Sequence, residues 1–259
     1  MSHRLAIQYR LPQPMATIAI GDIHGNRKQL DDLLARVLPE LRPEDTLVFL
    51  GDYIDRGPDS KGCLDRILRL KSQAQFEVVT LLGNHEQWML RSLKDPMRHS
   101  WLLGMEGMDT VKSYSAEAAE ILARSVEDYG PRLFFYKVAL PYEAFFDAMP
   151  REHLRFFQEL KPFHQTSDVV CVHAGADLNG VFDPTEVDVH VWGPLGFPEE
   201  YAGRCAVVYG HRDNAVLNGD GTALPRIGTN RTYGIDTISH GVLTAMRFPD
   251  CRVFQNVPR

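Results

Sequence analysis

Cysteine is scarce in this chain of 259 residues: Cys63, Cys171, Cys205 and Cys251 stand far apart, with no CxxC pair. That spacing carries no signature of a zinc knuckle or a disulfide framework, and it reads as free thiols in a reducing compartment. No run approaches the ~20 apolar residues that a membrane span needs. The amino-terminal stretch MSHRLAIQYRLPQPMATIAI is broken by Arg10, Pro12 and Pro14, so it lacks the apolar centre of a secretory leader. A soluble, cytoplasmic protein is expected. Positive charge is not in excess either. A net charge of −6 and a pI near 5.9 argue against a protein that coats nucleic acid. Repeats, low-complexity tracts and Gly/Ser-rich linkers are missing, so a single domain over 1–259 is expected.

What is present is a recurring pattern: a short apolar run that ends in a polar cluster. ATIAI (16–20) runs into GDIHGN, TLVFL (46–50) into GDYIDRG, and VVTLL (78–82) into GNHE. Later, DVVCV (168–172) meets HAG, and AVVY (206–209) meets GHR. Short β-branched runs of this kind predict fully buried strands. Between the first three, residues 27–38 and 60–71 place apolar side chains at helical spacing: Leu30, Leu33, Leu34 and Val37, then Leu64, Ile67 and Leu68. Alternating strands and helices imply βαβ units and a largely parallel sheet. Sites in such sheets form beyond the carboxyl ends of the strands, where every polar cluster falls. From 94 to 160 the pattern turns helical, which predicts an insertion or cap beside the core. The tail from Thr232 to Val257 alternates in short pieces, which predicts antiparallel strands closing a second sheet.

The strand ends deliver Asp22 and His24, then Asp52, Asp55 and Arg56, then Asn84 and His85, then His173, and finally His211. Carboxylates, imidazoles and an amide oxygen form a borderline-hard ligand set. It suits Mn²⁺, Fe or Zn²⁺ better than an oxygen cage for Ca²⁺ or a thiolate site. A bridging aspartate would hold two cations about 3.5–4 Å apart, the spacing used for in-line displacement at phosphorus. Each cluster alone also reads as a turn, because Gly and Asn tolerate positive φ. All five together do not read that way.

GDIHGN, GDYIDRG, GNHE, HAG and a later GH, in that order, resemble the calcineurin-like metallophosphoesterase superfamily. Within it the similarity is strongest to the phosphoprotein phosphatases, particularly the short bacterial and phage-type serine/threonine members. The resemblance spans 17 to about 245, with 94–160 matched only loosely. It implies two mixed β-sheets packed as a sandwich and flanked by helices. It implies two divalent cations, with Asp22 and His24 on the first, Asp52 bridging, and Asn84, His173 and His211 on the second. A hydroxide activated between them would attack phosphorus in line with the leaving group. His85 is then the general acid, Asp55 holds its ring, and Arg56 presents a fork of donors to phosphate oxygens.

The expected substrate is a phosphorylated protein or a small phosphoester. GDYIDRG is complete at Asp55 and Arg56, whereas dinucleoside polyphosphate hydrolases typically lose the second Asp or the Arg. An alkoxide leaving group needs an acid more than a nucleotide does, which favours the phosphomonoesterase. A nuclease and an inert module that keeps the fold are weaker readings. One departure stands out. Trp192 is followed by Gly193 and Pro194 where the resemblance calls for a phosphate-clamping arginine, and Arg212 is the candidate substitute. The remaining conspicuous residues read as structural. His3, His99, His153, His164 and His190 lack ligand-spaced partners, while His240 is a candidate support residue near a strand end. Core packing is expected for Trp88 and for the run Phe134, Phe135, Tyr136, Tyr142, Phe145 and Phe146.

Overall fold

Side-chain alternation explains how the strands are used. In β1 (Thr17–Ile20), Ile18 and Ile20 face one way and Ala19 the other; in β2 (Thr46–Phe49), Leu47 and Phe49 oppose Val48. Together with β3 (Glu77–Thr80) these strands run parallel, joined through helices α1 (Arg27–Val37) and α2 (Ser60–Gln73). Leu30, Leu33, Leu34 and Val37 form the buried stripe of α1, and Cys63, Leu64, Ile67 and Leu70 that of α2. Asp59 starts α2 by accepting a bond from the Gly62 amide at 2.8 Å. Each large aliphatic side chain so buried contributes about 1.5–3 kcal/mol, and Phe49→Ala would cost about 3–5 kcal/mol.

The computed structural model describes residues 15–257. The amino-terminal reading on Arg10, Pro12 and Pro14, and His3 with it, lies outside the described residues. After β3 come α3 (Asn84–Lys94) and six further helices: α4 (Ser100–Gly104), α5 (Gly107–Tyr114), α6 (Ala116–Tyr129), α7 (Arg132–Phe135), α8 (Glu143–Ala148) and α9 (Arg151–Gln158). Trp101, Val111, Leu122, Phe145 and Phe157 from these helices share one buried cluster with Leu64 and Ile67 of α2. The helical segment is thus built into the core that covers the first sheet, rather than set beside it.

The second sheet contains β4 (Phe163–Gln165), β5 (Val170–Val172), β6 (Val207–Tyr209), β7 (Arg226–Ile227) and β8 (Thr232–Gly234), in the order β4-β5-β6-β8-β7. Short helices α10 (Val187–Trp192) and α11 (Asn214–Leu217) precede and follow β6. The tail departs from its expected place. Only β8 joins the second sheet; β9 (Thr244–Phe248) pairs antiparallel with β1, and β10 (Arg252–Gln255) with β9. The pattern of β9 shows why. Ala245 joins the helix-side cluster, while Met246 and Phe248 pack between the sheets. That inner layer is closed by Ala19, Val48 and Val79 from one sheet and Cys171 and Val208 from the other. Both sheets are therefore mixed and packed face to face, as expected.

Candidate active site

The loops beyond β1, β2, β3, β5 and β6 converge on one place. Their close approach depends on glycine. Gly51 has φ +113, and a Cβ there would lie 2.7 Å from the Gly83 amide nitrogen and 3.0 Å from His173 Nδ1. A Cβ on Gly210 would collide with the Asp22 carboxylate. Backbone strain concentrates here as well. Among the described residues eight non-glycine residues have positive φ, and five of them are His24, Asp52, Asp55, Arg56 and His211. Each such conformation costs of order 1–3 kcal/mol and persists only where its surroundings enforce it.

Asp52 is the hub. Its carboxylate joins two groups whose donor atoms lie within 4.8 Å of one another: the buried His24, Asp52 and His85, and Asp52, His173 and the half-buried His211. His24 Nε2 is 3.5 Å from Asp52 Oδ2, and His173 Nε2 is 3.4 Å from Asp52 Oδ1. Asn84 Oδ1 sits 2.9 Å from His173 Nε2 and 3.0 Å from His211 Nδ1. Asp22 is buried beside them, and both its oxygens accept from the His211 amide, at 2.9 and 3.1 Å. His85 thus lies within reach of the first group, while Asp22, read from the sequence as a ligand there, falls in neither group.

The ring orientations suit cation binding. His24 Nδ1 donates to the Ile54 carbonyl at 2.8 Å and His173 Nδ1 to the Leu50 carbonyl at 3.1 Å, so the Nε2 lone pair of each faces inward. Burial, and then the Arg56 charge, pushes His24 down to about 3; burial and Arg212 push His211 down to about 4. These rings are neutral at physiological pH, the form that coordinates. The carboxylates shift the other way. Burial, then Asp236 and Asp52, raises Asp22 well above its ordinary range; burial, then Glu86, does the same to Asp52. Crowded buried carboxylates among neutral imidazoles call for positive charge, and the donor set fits two divalent cations.

Next to this cluster, His85 Nδ1 lies 2.7 Å from Asp55 Oδ2, with both residues buried. The exposed Arg56 reaches across, its Nη1 3.0 Å from His24 Nε2 and its Nη2 3.3 Å from His85 Nε2. Arg212 lies at the rim: a Cβ on Gly193 would come within 3.6 Å of its Nη2. The guanidinium thus borders the position where an arginine is missing. Trp192 packs 6.1 Å from the His211 ring, and Trp88 packs 5.1 Å from Trp192, so Trp88 reaches the site edge through its neighbour.

Four contributors had not been read from the sequence. Glu86 accepts from the amides of Gly83, Asp52, Tyr53 and Ile54 at 2.8–3.3 Å, which ties the β2 loop to the start of α3. Burial raises it to about 7. Its place three residues after Gly83 was the signal. Asp236, buried and raised to about 6 by burial and Asp213, bonds Asp22 and follows β8 in the same strand-then-acid pattern. Trp101 and Thr110 bind Asp55 from the helical segment, with no local signal. His99, His153 and His190 each have protein partners away from the site, as expected of structural residues. His240 is exposed and bonded to Ser239, which does not support a role beside the ligands.

Comparison with known proteins agrees with this geometry. The family model for calcineurin-like phosphoesterases matches residues 15–241. The chain belongs to that family. Members of this phosphoesterase family use a dinuclear centre of divalent cations, and the two groups sharing Asp52 match that requirement. The phosphoesterase is 39% identical over 103 residues to serine/threonine-protein phosphatase 1 of Salmonella typhimurium, covering 39% of this chain and 42% of that protein. It is 40% identical over 72 residues to a symmetrical bis(5'-nucleosyl)-tetraphosphatase of Janthinobacterium sp., covering 28% of this chain and 24% of that protein. The matched segments thus span less than half of these curated relatives. The crystal structure of a presumed diadenosine tetraphosphatase superimposes with a TM-score of 0.57 at 21% identity, over 95% of each chain. It shares the fold.

Proposed function

We propose that this phosphoesterase hydrolyses phosphomonoesters, with phosphorylated proteins as its principal substrates. The observation that carries the reading is the buried His85–Asp55 pair, 2.7 Å apart and linked through Arg56 to His24. Two divalent cations, with Mn²⁺ favoured over Fe or Zn²⁺, would be held by Asp22, His24, Asp52, Asn84, His173 and His211, supplying an activated water and charge against the phosphoryl oxygens.

The chain's own residues do the rest. Arg56 offers a planar fork to two non-bridging oxygens, and Arg212, beside Gly193, supplies a second guanidinium. His85 Nε2 delivers a proton to the leaving oxygen, while Asp55 orients the ring and supports its protonated form. Burial, and then the neighbouring His24 and Arg56, pushes His85 down. A phosphate dianion bound beside Arg56 would act in the opposite direction and favour the protonated ring.

Initial rates with Mn²⁺ on a phosphoserine peptide, a phosphotyrosine peptide and diadenosine tetraphosphate test the reading side by side. Faster phosphate release from a peptide supports it. Preferential cleavage of the dinucleotide would sink it in favour of a nucleotide hydrolase, the activity named for the Janthinobacterium relative.

A further inference from the structure

Asp55 has more partners than its pairing with His85 requires. Its Oδ2 is 2.7 Å from His85 Nδ1 and accepts from the Trp101 indole at 2.9 Å. Its Oδ1 accepts from Thr110 Oγ1 at 2.6 Å and from the same indole at 3.1 Å. The Asp55 amide donates to Thr110 Oγ1 at 2.8 Å, and Ser60 Oγ lies 3.2 Å away. One hydroxyl therefore clamps both the backbone and the side chain of a fully buried residue whose φ is +70. Trp101 belongs to α4 and Thr110 to α5. Their joint is tight: a Cβ on Gly107 would stand 2.7 Å from the Trp101 ring.

We propose that the helical segment between β3 and β4 positions the proton donor, with Trp101 and Thr110 as positioning residues that act on His85 through Asp55. The inference rests on the reading of His85 as the acid. A carboxylate with a single partner can rotate about its Cβ–Cγ bond and carry the imidazole with it. Donors from α4 and α5 occupy both oxygens and remove that freedom. The direction of His85 Nε2 is then fixed from helices that supply none of the cation ligands. Holding the proton donor to within a few tenths of an ångström of its productive position, about 2.6–3.2 Å from the leaving oxygen, matters where that oxygen is a poor leaving group.

The test compares an alkyl with an aryl phosphate ester on the metal-loaded protein. Trp101→Phe keeps the ring and removes the N–H; Thr110→Val keeps the shape and removes the hydroxyl; Thr110→Ser restores it. The expected result is a loss of about tenfold in kcat on a phosphoserine peptide for W101F and T110V, since a general acid contributes ~10²–10⁴-fold in all. On p-nitrophenyl phosphate, whose leaving group needs no proton, kcat should change less than about twofold, KM should hold, and T110S should recover the peptide rate. Equal losses on both esters, or none on the peptide, would overturn the inference. His85→Asn is the reference. If H85N spares the peptide selectively or loses both esters alike, the acid assignment falls and this inference with it. Selective loss in H85N alone overturns the positioning role and leaves the acid in place.

Discussion

A strand end that places aspartate or histidine directly after a buried apolar run, or after the glycine that ends it, exposes its chemistry in one dimension, and most of this centre was legible for that reason. Asp22, Asp52, His173 and His211 each close a buried run. The residues that support them were less visible. Trp101 and Thr110 lie 46 and 55 positions from the carboxylate they bind, a separation that no local pattern encodes. His85→Ala is expected to cut kcat on a phosphoserine peptide by about 100-fold or more while metal content by elemental analysis stays at the wild-type level. Unchanged turnover would remove His85 from the acid role. Asp52→Ala should behave differently, losing both cations and all activity, because its two oxygens face both donor groups. Arg212→Ala should raise KM about tenfold with kcat little changed, as one charge-assisted contact of ~1.5–3 kcal/mol disappears. A fall in kcat alone would show that Arg212 acts on the transition state instead.

Elements with strong periodicity, β1, β2, α1 and α2, were readable; elements that depend on distant partners were not. The tail strands alternate correctly, yet alternation cannot say which sheet receives them, and β9 was claimed by β1. The aromatic run in the helical segment divides in a way that composition hides. Tyr142 and Phe145 are buried as expected, whereas Phe134, Phe135 and Tyr136 are 75%, 80% and 69% exposed. Short α7 turns only Leu133 inward. The same helices make a pH-sensitive joint with α2. His153 of α9 bonds Tyr114 at 2.7 Å and Asp65 at 3.0 Å. Burial lowers His153 below its ordinary value despite Asp65. In the unfolded chain the ring protonates near pH 6.5, so below about that value the unfolded state binds more protons. The contribution of His153 is complete above that pH and declines as the pH falls towards the folded value. Burial would raise Asp65, but Lys61 and His153 outweigh it and hold it down, so its own contribution fades only in more acid solution. His153→Asn should therefore flatten the dependence of Tm on pH between 7.5 and 5.5; a parallel pair of curves would refute the assignment.

For the molecule as a whole, the centre draws on both sheets: the loops after β1, β2 and β3 from one, those after β5 and β6 from the other. Chelation should lower Tm by several degrees, with recovery on adding Mn²⁺. Loading should also release protons. Burial raises Asp22 and Asp52, so in acid solution cations must displace protons from them, while His24 and His211 near 3 and 4 are already neutral. Apparent affinity should rise from pH 5 to 7.5, with proton uptake by buffers of different ionisation enthalpy as the readout; a flat profile would contradict the site's carboxylate chemistry. The pairing of β9 with β1 has a consequence for how the chain is made. On the ribosome, every cation-facing side chain has been synthesised once His211 has been added, yet β1 still has one side open. It waits for a partner some 230 residues away, while the intervening segment completes the other sheet. Assembly of this face should thus wait for the β9–β10 hairpin, and long-range closure of this kind is slow.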